Sequence, residues 1–128
     1  MRLWHEELIR KLPRQQLLGQ HRECCALRGN GWKKPHATVN YVFNYSYKRL
    51  FYYHCFIIHE MISRGYNVSE EWLEANYRGK ECKPISKDLS INLRWLDKKT
   101  KNLYPEHNET YMRECLENLE GKGIVITV

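Results

Sequence analysis

At 128 residues the chain is the size of one domain and long enough to bury an apolar core without staples. Its five cysteines are odd in number and scattered, its first residues carry no apolar leader, and the longest apolar run, within LFYYHCFII, is broken by a histidine and far too short to span a bilayer. These features argue against a disulfide scaffold and a membrane protein, so a reduced, cytoplasmic protein is expected.

The net charge of +6 is unevenly spread. Residues 1–60 hold ten Lys or Arg against four acids, and residues 61–128 hold eleven of each. All of the excess sits in the first half, as in a chain with a polyanion-binding face.

In chain order, HEELIRK within residues 1–11 offers a turn of helix. A full helix is predicted over 12–29: Pro13 suits the first helical position, Arg28 complements the negative end of the dipole, and Gly29 suits a left-handed cap. At 100° per residue, Leu17, Leu18, His21, Cys24 and Cys25 share one side with Leu27 at its margin, and that side faces the core. Gly19, Arg22, Glu23 and Ala26 share the other. Neither charge has an opposite charge three or four residues away, as a solvated helix usually provides. Arg22 and Glu23, standing between two residues of minimal size, are therefore site candidates that another molecule could approach closely.

The GNGWKKPHATVNY stretch reads as a loop, in which Lys33 and Lys34 beside Trp32 suit phosphate contact and stacking. Alternating Tyr41, Phe43, Tyr45 and Tyr47 predict an extended approach to the next helix. That helix spans 46–64, with Tyr47, Leu50, Phe51, His54, Ile58, Met61 and Ile62 inward and Gly65 as its stop; His54 reads as a core histidine. Ser69 can cap a short helix over EEWLEANY, ended by Gly79. Further helices are predicted from 86 or 90 to 99, with Leu89, Leu93 and Leu96 on one side, and over 108–120, with Tyr111, Cys115, Leu116 and Leu119. The tail GIVITV is β-branched but has no evident strand partner, so extended chain packed on the core is expected.

The fold class is accordingly all-α, mainly helical: one compact domain over 1–128 with a few core helices and long loops. His21 with Cys24 and Cys25 invites a metal reading, but no CxxC or second Cys/His pair follows, so no metal and no cofactor are expected. A phosphate-binding glycine loop and a nucleophile elbow are both missing from the sequence.

Three segments, in order over roughly residues 1–100, make the chain resemble the pyrimidine-dimer DNA glycosylases of the phage endonuclease V type. They are Met1-Arg2-Leu3 with Arg22-Glu23 in LLGQHRE, then RGYN at 64–67, then LSINLRWLDKK at 89–99. The resemblance implies a compact helical fold and an enzyme that excises the 5′ base of a cyclobutane dimer, then cleaves the strand by β-elimination. It puts the α-amino nucleophile on Met1, the essential glutamate on Glu23, and DNA contacts on Arg2 and Arg22. Arg14, Gln15, Lys33 and Lys34 complete the expected DNA-binding set, with Arg28 standing in for a family arginine that meets Ala26 here. The aromatic C-terminal segment of the phage enzyme has no evident counterpart after Tyr111.

The chemistry is sound on its own terms. A terminal amine, with a pKa of about 8 against about 10.4 for lysine, is neutral at pH 7 roughly 10² times more often. Attack at C1′ would leave an imine that acidifies the C2′ proton, and Glu23 could protonate the opening sugar and assist removal of that proton. The target or its opposite nucleotide has to leave the stack, and Gly19 and Ala26 leave room for it. The expected partner is double-stranded DNA with damaged bases, met by a monomer that is nucleoid-associated only through DNA. Two alternatives stay open: a non-catalytic nucleic-acid binder using the basic half alone, and a glycosylase or lyase for another lesion.

Overall fold

A computed structural model describes residues 2–35, 39–89, 91 and 102–127. Among them the chain is helical and no strand forms. Three α-helices, α1 (Arg14–Arg28), α2 (Tyr47–Ser63) and α3 (Glu109–Gly121), are accompanied by 3-10 turns at Glu6–Lys11, Asn40–Asn44 and Glu70–Leu73. None of these helices is long and apolar enough to cross a membrane.

The core is built around α2. Its buried residues, among them Leu50, Phe51, Tyr53, His54, Ile57, Ile58 and Met61, cover more than half of its circumference, and so broad an apolar side has to be enclosed. α1 and the 3-10 turn Glu6–Lys11 pack against it, and α3 adds Cys115 and Leu119 to the same cluster. α2 ends as its sequence predicts. Gly65 takes φ +83, and Gly65 N–H and Tyr66 N–H fold back onto the carbonyls of Ile62 and Met61 at 2.9 Å each, a Schellman closure.

The predicted helix over 12–29 forms as α1, with Pro13 one position earlier, as the N-cap. Gly29 departs from its expected role. Its φ is −92, so no left-handed cap is present; glycine is needed because a Cβ there would lie 2.9 Å from the carbonyl oxygen of Arg78. α3 matches the prediction, and the Asn108 side chain caps it through Tyr111 N–H at 2.9 Å.

Two local predictions fail for tertiary reasons. The aromatic alternation after residue 40 coils into the 3-10 turn Asn40–Asn44 instead of extending. Tyr41 and Tyr45, four residues apart, both set an edge against Tyr104 at centroid distances of 5.5 Å, which an extended chain holding them about 13 Å apart does not allow. The short helix after Ser69 stops at Leu73 because the carbonyls of Trp72, Glu74 and Tyr77 accept from Arg28 rather than from a following helical turn. Of the helix predicted from 86 or 90 to 99, residues 86–89 and 91 are not helical and the rest lie outside the described residues. The tail forms no regular element over 124–127, with Ile124 and Ile126 packed on the core.

Candidate active site

The residues of α1 divide into four lengthwise strips. Leu17, Gln20, Cys24, Leu27 and Arg28 are buried. Gln15, Arg22 and Ala26 are exposed, with half-buried Gly19 between them, at spacings of three and four that put all four in one stripe. Glu23 lies on one flank of that stripe, and His21 and Cys25 lie towards α2. A hydropathy projection recovers the stripe but misplaces the centre of the buried side, because two of its five residues are polar.

Glu23 is half-buried because the N-terminal arm, residues 2–5, covers its flank. The connector is Gln20, only 1% exposed. Its Nε2 donates to the Arg2 carbonyl at 2.8 Å and to Glu23 Oε2 at 2.9 Å, while its Oε1 accepts from Trp4 N–H at 2.6 Å. The Tyr53 hydroxyl contacts the Trp4 carbonyl at 2.6 Å and Gln20 Oε1 at 2.9 Å. Burial pushes the Glu23 carboxyl above its ordinary range, and the backbone hydrogen bond from Arg2 and the Gln20 amide pull it partly back. A carboxyl raised this way suits proton transfer near neutrality better than an ordinary surface glutamate.

Arg2 is held beside this carboxyl by aromatic rings. Its guanidinium lies 5.8 Å from the ring centroids of both Trp4 and Tyr111, and the Tyr111 hydroxyl donates to the Leu3 carbonyl at 2.5 Å. The C-terminal helix therefore reaches the arm through Tyr111, a role the sequence did not signal. Met1 lies outside the described residues; one peptide bond joins it to Arg2.

On the other flank the sequence reading needs correction. Arg28, expected to help bind DNA, is fully buried. All five of its N–H donors are used: Nε on the Tyr47 hydroxyl at 3.0 Å, Nη1 on His54 Nδ1 at 2.9 Å and Trp72 O at 2.8 Å, and Nη2 on Glu74 O and Tyr77 O at 2.9 Å each. No donor remains for a phosphate. Arg78 acts in the other direction, donating to the carbonyls of Arg28 and Gly29 at 2.8 and 2.9 Å, so the end of α1 and the backbone of residues 72–77 are tied together from both sides.

His21, Cys25 and His54 bring three potential metal-ligating atoms within 4.8 Å of one another, a grouping invisible in sequence because His54 is 33 residues away. Proton bookkeeping argues against a cation there. Arginine only donates, so His54 Nδ1 accepts from Arg28, His54 Nε2 carries the hydrogen, and that hydrogen is given to His21 Nδ1 at 2.8 Å. A metal on His54 Nε2 would put a hydrogen on Nδ1 facing a guanidinium, the reverse of the acceptor that ligating histidines need behind them. Burial lowers both imidazole pKa values, His54 strongly, and pushes the Cys25 thiol up to about 12, so neither a charged imidazole nor a thiolate is favoured here.

The remaining expected residues are accessible. Arg14 and Gln15 are exposed at the start of α1, with the Arg14 guanidinium 5.1 Å from the Tyr66 ring. Lys33 and Lys34 are exposed just past its end, with Lys33 in the left-handed region at φ 61 and Trp32 braced edge-on against Phe43 and Tyr47. Fifteen helical residues separate the two groups by roughly 20 Å.

A family model described as pyrimidine dimer DNA glycosylase matches residues 1–74, a span holding the arm, α1 and α2. No curated protein and no solved structure matches the chain.

Proposed function

The chain belongs to the pyrimidine dimer DNA glycosylase family, and from that premise we propose that it is a bifunctional DNA glycosylase and abasic-site lyase acting through the α-amine of Met1 and the carboxyl of Glu23. The observation that carries this reading is the half-buried Glu23, with its raised pKa, linked to the backbone of Arg2 through the Gln20 amide. Residue 1 is joined to Arg2 by one peptide bond, and its amine is assigned to the same site as that carboxyl.

In the proposed reaction the neutral amine forms a bond to C1′ of the 5′ nucleotide of a cyclobutane dimer. The C1′–N bond breaks, and the base departs with its electron pair. The departing base takes up one proton from the new nitrogen, and opening of the sugar as Glu23 protonates O4′ leaves a protonated imine. Glu23, now a carboxylate, then removes the C2′ proton; the electrons form a C=C bond and expel the 3′ phosphate. Water hydrolyses the imine and restores the amine. Arg2 and Arg22 hold flanking phosphates, Arg14 and Gln15 extend the contact at one end of α1, and Lys33 and Lys34 extend it at the other. The stripe of Gln15, Gly19, Arg22 and Ala26 faces the unstacked nucleotide.

Borohydride trapping on a duplex with one defined cyclobutane dimer tests the reading. A covalent adduct at the N-terminal residue, dependent on both lesion and borohydride, is expected. Intact mass should show Met1 deformylated and retained, because the bulky Arg2 beside it blocks removal. An adduct on a lysine, or none on dimer-containing DNA with full excision, would overturn the assignment.

A further inference from the structure

We infer that Gln20 is a positioning residue for the glycosylase reaction, holding the N-terminal arm and Glu23 at a fixed separation. The inference rests on Glu23 as the proton-transfer group.

A buried primary amide has two donors and an acceptor oxygen to satisfy, and here each is committed to a different element. One Nε2 hydrogen goes to the Arg2 carbonyl and the other to Glu23 Oε2, at 2.8 and 2.9 Å. These hydrogens diverge by about 120° in a planar amide, so the two acceptors stand roughly 5 Å apart and keep that spacing as long as the amide is fixed. The amide is fixed from behind. Trp4 N–H at 2.6 Å requires an oxygen at Oε1, and turning the amide over would set its NH2 against that N–H and its oxygen against the Arg2 carbonyl. With only 1% exposure, water cannot take over any of these contacts.

A simple structural staple would need only the bonds to the arm. The second hydrogen on Glu23 is what connects the staple to chemistry, because a donor on the carboxylate stabilises its ionised form and tempers the upward push of burial. Loss of the Gln20 amide therefore has two consequences at once: the arm loses its spacing from Glu23, and the carboxyl titrates at higher pH.

The test compares single-turnover excision, lesion binding and the pH–rate profile in Gln20→Met, Gln20→Glu and Tyr53→Phe. Gln20→Met keeps the volume and removes every polar contact; Gln20→Glu keeps the acceptor for Trp4 and removes both donors, so one variant remains informative where the other melts early. Both should lose at least about tenfold in excision rate with binding changed less than about threefold. In both, the acidic limb of the pH–rate profile should move to higher pH, further for Gln20→Glu because it adds a like charge beside Glu23. Tyr53→Phe takes a hydroxyl from the same cluster without touching Arg2 or Glu23, and its acidic limb should stay in place. Unmoved limbs in the Gln20 variants, or an equal shift in Tyr53→Phe, would overturn the inference. Glu23→Gln run alongside keeps the two ideas apart: parent-rate excision there overturns the proposed function, whereas inactive Glu23→Gln with unaltered Gln20 variants overturns only the positioning role.

Discussion

Glu23 and Arg28 stand five residues apart on one helix and are withdrawn from water to different degrees. For Glu23, burial raises the carboxyl pKa above its unfolded value, so its protonated form supports the fold and that contribution is lost as pH rises through the folded pKa. Glu23→Gln has no charge to lose. Its melting temperature relative to the parent should therefore rise between acidic and neutral pH, with a stability change at pH 7 of no more than about 1 kcal/mol, while excision drops by at least about 10²-fold. Melting curves at both pH values and single-turnover assays read the two effects separately. For Arg28 the expectation is the reverse: Arg28→Lys offers at most three donors to five acceptors and cannot reproduce the guanidinium fork, so it should cost about 2–4 kcal/mol of stability, seen as a lower denaturation midpoint.

At the scale of elements, Gly19 tests what the exposed stripe of α1 is for. A Cβ there would meet only the Arg22 guanidinium, at 3.7 Å, an ordinary contact with the flexible end of a side chain. Helix propensity alone predicts that Gly19→Ala stabilises the protein by about 0.5–1 kcal/mol. If the stripe receives an unstacked nucleotide, excision of a dimer should fall in the same variant as thermal stability rises, and a gain in both quantities would refute that use of the stripe. The 3-10 turn Glu6–Lys11 makes the complementary point. Its buried Glu6 carboxylate accepts from Leu103 N–H at 2.8 and 2.9 Å, and Glu6 N–H donates to His107 Nδ1 at 3.2 Å, so residues 103–107 are stitched to the arm that carries the candidate nucleophile.

Across the whole molecule, the charge excess of the first half and the exposed cations around α1 predict a salt-dependent association with undamaged duplex. The logarithm of affinity should fall with the logarithm of salt at about −0.9 per neutralised phosphate, and Arg22→Ala should flatten the slope by about that amount. Arg28, although a cation on the same helix, should leave the slope unchanged in any variant that still folds, because no donor faces solvent. Binding titrations at several salt concentrations check both statements.

What the sequence determined by itself was local. Apolar spacing, Pro13 and Gly65 were enough to locate three α-helices, and the lack of ion-pair partners within one turn was enough to single out Arg22 and Glu23. These signals are legible because they act between residues at most a few positions apart, through backbone conformation and helix geometry. Tertiary structure decided the polar interior. Gln20 is a hub only because residues 2, 4 and 53 converge on it, and Arg28 is a clasp only because residues 47, 54 and 72–77 supply acceptors. A polar side chain reads as exposed in sequence unless its partners are known, since burial without hydrogen bonds costs more than the hydrophobic gain repays. Those partners lie 16 to 49 residues away, and only the packed chain brings them together.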